Sequence, residues 1–279
     1  MLRLNSPLGY AGIVIVGSGS RPLPASLILA KRGEIGGGLN GSETMNHKIA
    51  SREEWLAART AHLAREKELT QLRDRVSAER SELPYVQVDK AYSFEGPNGS
   101  ETLGELFAGR SQLIIYHFMF GPGWPEGCPS CSFLCDHIDG SVVHLASRDV
   151  TLLAASRAPL AEIDAFKARM SWSFKWVSSH VNDFNRDYHV SFTAEEMAAG
   201  EVYYNYRPNK FPSEEAPGAS VFLKDESGAI YHTYSCYGRG LDILIGTYNF
   251  LDLAPNGRGE AELPWPMSWI RHHDRYDEA

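Results

Sequence analysis

The stretch that most constrains this chain runs from Gln112 to Asp139: Q-L-I-I-Y-H-F-M-F-G-P-G-W-P-E-G-C-P-S-C-S-F-L-C-D-H-I-D. It opens on an apolar and aromatic run, Leu113 to Phe120, β-branched at Ile114 and Ile115 and stopped by Gly121-Pro122-Gly123. Such a run predicts a buried strand. After the Gly/Pro turn, Cys128-Pro129-Ser130-Cys131 stands at the start of a predicted helix, Ser132 to Ile138. A cysteine at a helix N-terminus meets unpaired backbone N–H groups and the positive end of the helix dipole, both of which favour a thiolate. A second cysteine one turn on is placed to attack a mixed disulfide formed by the first.

The four cysteines of the 279 residues are not a disulfide framework, because three of them fall within eight residues. That clustering points to thiol chemistry or to metal. Cys128, Cys131 and Cys135 at i, i+3 and i+7 share one helix face, and with His137 they form an alternative ligand set for Zn or Cu(I). The blandest alternative is a non-enzymatic scaffold whose cysteines are inert small hydrophobes. Cys236 stands apart and is expected to be buried and structural. A net charge of −8 argues against nucleic acid and anionic membranes as partners. No apolar run is long enough to span a bilayer.

Around the cysteines the chain reads in order. Residues 1–44 are rich in Gly, Ser and Pro and are expected to be a disordered extension or a misassigned start. Gly12 to Ser20 begins like a dinucleotide-binding strand and turn, but Pro22 replaces the third glycine. Residues 45–82 hold one long amphipathic helix, about Arg52 to Ser81, opened by Ser51 and Glu54 in a capping-box pattern. Its charges read as a solvated face, with a homodimer contact as the alternative. Short strands are predicted at Tyr85–Val88 and Ala91–Glu95, and a short helix at Thr102–Phe107. Val150–Ala155 and Phe174–Ser178 are further strands, separated by a helix from Leu160 to Met170. Strand, helix, strand, helix, strand implies parallel pairing through crossovers. Ser179–Pro217 reads as an insertion, Ala219–Tyr234 as a hairpin, and Gly240–Leu253 as one last helix. Residues 254–279 are expected to be a tail wrapped on the surface.

This succession resembles a thioredoxin-like fold, an α/β architecture with a central mixed sheet flanked by helices. Pro217-Gly-Ala-Ser-Val-Phe-Leu-Lys-Asp resembles the segment that thioredoxins and peroxiredoxins place just after a cis-proline. More specifically, the chain from Met45 onward is similar to the bacterial domain-of-unknown-function 899 (DUF899) family. Tyr116-His-Phe-Met-Phe-Gly-Pro-Gly-Trp124, Cys128-Pro-Ser-Cys-Ser-Phe133, Ser156-Arg-Ala-Pro-Leu160, Phe166-Lys-Ala-Arg-Met170 and Tyr248-Asn-Phe-Leu-Asp-Leu253 carry that likeness. The resemblance implies a thioredoxin-like domain over residues 83–253. It also implies Cys128 as attacking thiol, Cys131 as resolving thiol and Pro217 as the cis-proline. Trp124, His117 and Arg157 are candidate supporting residues. The implied activity is that of a cytoplasmic thiol–disulfide oxidoreductase or thiol peroxidase with no cofactor. It would act on a protein or small-molecule disulfide or a peroxide and be re-reduced by a thioredoxin-type system. Two departures stand out: the third cysteine, Cys135, and Pro125-Glu-Gly127 where thioredoxins carry a Trp-Cys start.

Overall fold

A computed structural model describes residues 48–276. The expectations for residues 1–44 lie outside that range. The described chain divides between Thr60 and Ala61 into two units.

In the first unit, Ser51 and Glu54 form the expected capping box. Ser51 Oγ accepts from the Glu54 N–H at 3.2 Å, and the Glu54 carboxylate accepts from the Ser51 N–H at 2.9 Å. Two orphan donors are thereby satisfied where helix α1 (Arg52–Ser81) begins. No residue of α1 is buried.

The second unit is built on one mixed sheet. Its strands are β1 (Val86–Gln87), β2 (Ser93–Gly96), β3 (Gly99–Thr102), β4 (Gln112–His117), β5 (Val150–Ser156) and β6 (Trp176–Ser178). A separate two-stranded hairpin, β7 (Val202–Tyr204) and β8 (Arg207–Asn209), follows, and then β9 (Gly218–Lys224) and β10 (Ile230–Tyr237) return to the sheet. The order across the sheet is β1-β10-β9-β4-β5-β6-β2-β3. β4 pairs parallel with β5 and β5 with β6, whereas β9 lies antiparallel to both β4 and β10. An antiparallel hairpin beside the first strand of a parallel β-α-β unit is the thioredoxin-like arrangement, and the chain has that fold.

The helices are α2 (Leu103–Leu106), α3 (Pro129–Cys135), α4 (Asp139–Ala146), α5 (Leu160–Arg169), α6 (Phe184–Asp187), α7 (Ala194–Ala199) and α8 (Gly246–Leu251). Alternation along β4 separates two cores. Leu113 and Ile115 join Phe94, Leu106, Leu153 and Phe222 on one face. Tyr116, followed by Phe118, joins α3, α5 and α8 through Cys131, Leu134, Phe166 and Tyr248, with Trp176 of β6, on the other. The cysteine helix therefore packs on the sheet through its own buried face.

Three expectations are corrected. The last helix is not continuous: a 3-10 helix, Gly238–Leu244, and α8 are separated at Ile245, whose backbone is extended. Gly246 opens α8 where the His137 ring packs, and a Cβ there would lie 3.0 Å from His137 Nδ1. The tail is not merely wrapped on the surface, because Ile270 and His272 are buried. Finally, no peptide bond among the described residues is cis, so Pro217 follows a trans bond. Its carbonyl accepts from the Tyr204 hydroxyl at 2.7 Å, which ties the entry of β9 to the β7–β8 hairpin.

Candidate active site

The site grows from the end of β4. Phe118 and Phe120 leave the strand but stay buried, held by Phe118 N–H to Ala155 O at 3.0 Å and Ala158 N–H to Phe120 O at 2.8 Å. The turn then folds back, and the Cys128 N–H donates to Met119 O at 3.1 Å. This return places Cys128 at the N-cap of α3 with Pro129 in the first helical turn, where its missing N–H costs nothing.

Cys128 is half-buried and Cys131 is 2% exposed. The two sulfurs are electrostatically unlike. The Cys131 thiol donates to Cys128, burial opposes ionisation, and the backbone N–H groups of Cys131 and Ser130 add to the stabilisation. The balance brings Cys128 down to about 7. Burial pushes Cys131 well up, reinforced by its bond to the Cys128 sulfur, although the Tyr116 hydroxyl and the Met119 N–H both donate to it. Cys135 is 0% exposed, and burial with nearby Asp136 and Asp139 pushes it well above a free thiol. One cysteine of the three is thus both reachable and ready to ionise.

Glu126, two residues before Cys128, would disfavour a thiolate if left unpaired. Burial pushes its carboxyl up, but the hydrogen bonds and charges of Arg169 and Arg275 outweigh that and hold it below the usual range. Arg169 Nη1 and Arg275 Nη1 each donate to Glu126 at 2.9 Å. The tail also fixes the preceding residue. His272, 1% exposed, donates from Nε2 to Gly127 O at 2.8 Å, and its Nδ1 faces Arg169 Nη2 at 3.3 Å. A carbonyl can only accept and a guanidinium only donate, so these partners set the tautomer.

Gly127 is there because nothing larger fits. A Cβ would stand 2.6 Å from Phe118 Cε1 and 2.8 Å from Phe166 Cε1. Gly127→Ala is expected to cost about 1–3 kcal/mol through displaced rings and a shifted turn. Urea unfolding read beside the alkylation rate of Cys128 checks this: both should change, and an unperturbed variant would contradict the packing.

The other expected residues divide. Trp124 packs beside the cysteine layer, and its Nε1 donates to Glu214 at 3.0 Å, bridging the turn to the segment before β9. His117 is not brought to the cysteines. Period two along β4 sends its ring to the opposite face, against Phe184 and Tyr188, with Nε2 2.8 Å from Ser220 Oγ. Arg157 pairs with Glu215 at 2.9 Å. Pro217 precedes Gly218, which registers with His117 at the cysteine end of β4. The metal alternative fares differently. His137 Nε2 accepts from the Thr247 N–H at 3.1 Å, and no three His, Cys, Asp or Glu side chains form a metal-holding group among the described residues. Cys236 is half-buried rather than buried, in the wall of a 580 Å³ cavity that Tyr206 and Arg239 also line.

Glu215, Arg169 and His272 carried no local signal in the sequence. Their contacts here span 43 to 145 residues of chain. Among the described residues no helix is long and apolar enough to cross a membrane.

Solved structures with similar folds include peroxiredoxin Q of Xanthomonas campestris, in a form with one cysteine replaced by serine. It is 13% identical, covers 57% of this chain and 90% of its own, and has a TM-score of 0.39. Peroxidoxin BcpB of Mycobacterium tuberculosis is 10% identical over 59% and 95%, also at 0.39. StoA of Bacillus subtilis is 13% identical over 54% and 90%, at 0.34. At these identities and scores they bear on no residue role, and the fold rests on strand order and direction. No curated protein matches the chain in sequence. The family model described as bacterial protein of unknown function (DUF899) matches residues 44–276, and the chain belongs to that family.

Proposed function

We propose that this protein is a thiol–disulfide oxidoreductase in which Cys128 attacks and Cys131 resolves. The observation that carries the reading is the asymmetry of the pair: a half-buried Cys128 at a helix N-cap receives hydrogen bonds that favour its thiolate, while a buried Cys131 keeps its proton. The Cys128 thiolate attacks one sulfur of a substrate disulfide. That S–S bond breaks, the other substrate sulfur leaves as a thiolate and takes up a proton, and a mixed disulfide remains. Cys131, losing its proton, then attacks the Cys128 sulfur and expels the second substrate thiol. The substrate gains two electrons, the protein holds a Cys128–Cys131 disulfide, and an external dithiol such as a thioredoxin system restores it.

A peroxide would be attacked at oxygen by the same thiolate. It would leave an alcohol or water and a sulfenic acid that Cys131 condenses with loss of water. Cysteines used for exchange rather than as staples suit a reducing cytoplasm.

The test is the pH dependence of iodoacetamide alkylation on reduced, metal-free protein, with mass spectrometry locating the label. Cys128 should be alkylated first, with a midpoint near pH 7, against about 8.5 for a free cysteine. Equal reactivity of Cys128 and Cys135 would remove Cys128 as the nucleophile. Turnover of a disulfide or of hydrogen peroxide with a reductase-coupled assay then separates the two electrophiles.

A further inference from the structure

We infer that the groove between the cysteine turn and α5 receives a basic side chain, arginine or lysine, of a peptide whose cysteine is attacked by Cys128. The inference rests on the reading of Cys128 as the nucleophile and adds the class of substrate.

The groove encloses about 300 Å³ and is lined by Phe120, Trp124, Glu162, Phe166 and Arg169. It lies beside the reactive thiol. Phe166, one of its walls, touches Gly127, the residue before Cys128, and Arg169 donates to Glu126.

Two features select a cation. The first is Glu162 Oε2, which is buried and has no hydrogen-bond partner. A buried acceptor left unfilled is costly, and a carboxylate oxygen more so. Arg169 does not fill it: Nε and Nη2 donate to Asp274 at 2.8 and 2.9 Å, and Nη1 donates to Glu126. The guanidinium in the lining is thus already matched to two other carboxylates. The second feature is the set of aromatic walls. Phe120, Trp124 and Phe166 line the same groove as Glu162; Arg169 already lies over the Phe166 ring at 5.5 Å, so the face left for a further cation is that of Trp124, and such a cation gains what a neutral amide does not. Trp124 is held in place by its bond to Glu214, so this wall is oriented before anything binds. A side chain with an aliphatic stem and a cationic head would lay the stem along the rings and donate to Glu162. An acidic side chain would face an uncompensated carboxylate in a partly dry groove. The overall charge of −8 acts in the same direction at long range.

Three peptides test this: Arg-Cys-Arg, Gln-Cys-Gln and Glu-Cys-Glu, each as its mixed disulfide with 5-thio-2-nitrobenzoate. The Cys128 thiolate attacks the peptide sulfur and forms a protein–peptide disulfide. The bond to thionitrobenzoate breaks, and that group leaves as a coloured thiolate, so absorbance reads the first step without requiring turnover. The ratio of the Arg-peptide rate to the Glu-peptide rate should fall about tenfold in Glu162→Gln, the scale of one charge-assisted hydrogen bond. The Gln-peptide rate should hold within about twofold, since a neutral side chain gains little from Glu162. Asp164→Asn removes an equal charge from the exposed side of the same helix and should leave the ratio unchanged. Equal ratios in wild type and Glu162→Gln would overturn the inference while leaving the nucleophile reading intact. So would an equal fall in Asp164→Asn. In Cys131→Ala, where the mixed disulfide cannot be resolved, peptide found by mass spectrometry on another cysteine, or on none, would overturn the nucleophile reading and the inference with it.

Discussion

Replacing Cys128 with serine is expected to lower the rate of disulfide reduction by about a thousandfold or more, because a hydroxyl stays protonated where the thiolate is the nucleophile. The two other helix cysteines should behave differently. Cys131→Ala removes the thiol that donates to Cys128, the largest of the influences lowering its pKa. The alkylation midpoint of Cys128 should therefore move up from about 7. The same variant cannot resolve, so the mixed disulfide should accumulate and be visible as a mass adduct on Cys128. Cys135→Ala should leave both steps intact, since Cys135 is buried and its ionisation strongly disfavoured. Turnover surviving in Cys128→Ser would end the reading. Turnover lost in Cys135→Ala with an adduct trapped on Cys128 would instead make Cys135 the resolving thiol.

What could be read from the sequence was what repeats locally. Val150–Ala155 and Leu160–Met170 announce themselves by an apolar run and by helical spacing, and β5 and α5 fall almost where expected. The cap of α1 is as legible, because Ser51 and Glu54 need only each other. Helix α4 carries no such signal. Its N-cap, Ile138, makes no side-chain bond, and Gly140 sits in its first turn. β3 is hidden because Gly99–Thr102 looks like part of a turn until β2 is there to pair with it. In the site, the thiol pair was legible because helix N-terminus and cysteine spacing are local facts. His117 could have been placed by parity alone. Tyr116 faces the cysteines, so its neighbour in a strand faces away. The groups that tune the turn were not legible. Arg169 reaches Glu126 across 43 residues, and His272 reaches Gly127 across 145. No pattern in a single sequence encodes such contacts when the partners are an ordinary surface-type charge and a tail histidine.

Arg157→Met is the substitution expected to cost the most stability, and its cost should depend on pH. Glu215 is 1% exposed, bonded to Arg157 through one oxygen and to the Ser191 hydroxyl through the other. Burial raises its carboxyl, and Ser191 and Arg157 pull it only part of the way back, leaving it at about 7. A carboxyl raised in the folded state binds its proton more tightly there than in the unfolded chain. Its contribution to stability is therefore complete below about pH 4.5 and is lost as pH rises through about 7, a fall of about 3 kcal/mol for this group in the wild type. Without Arg157 the ionised form has lost its counter-charge and the pKa rises further. At pH 8 the cost of Arg157→Met should exceed that at pH 5 by at most about 1.4 kcal/mol, because pH 8 lies about one unit above the wild-type value of about 7 and beyond that Glu215 takes up a proton rather than staying charged and unpaired. At pH 5 Glu215 is protonated in both proteins, and the loss should shrink to about 1–2 kcal/mol for the missing hydrogen bond. Urea unfolding at the two pH values measures the difference, with the denaturant slope checked for constancy. Glu215→Gln in the Arg157→Met background should restore much of the stability at pH 8 and little at pH 5, because it removes the cost of protonating on folding a carboxyl that is ionised in the unfolded chain at pH 8. A penalty equal at both pH values would mean that Glu215 is ionised throughout, and that solvent or another cation stabilises it when Arg157 is gone.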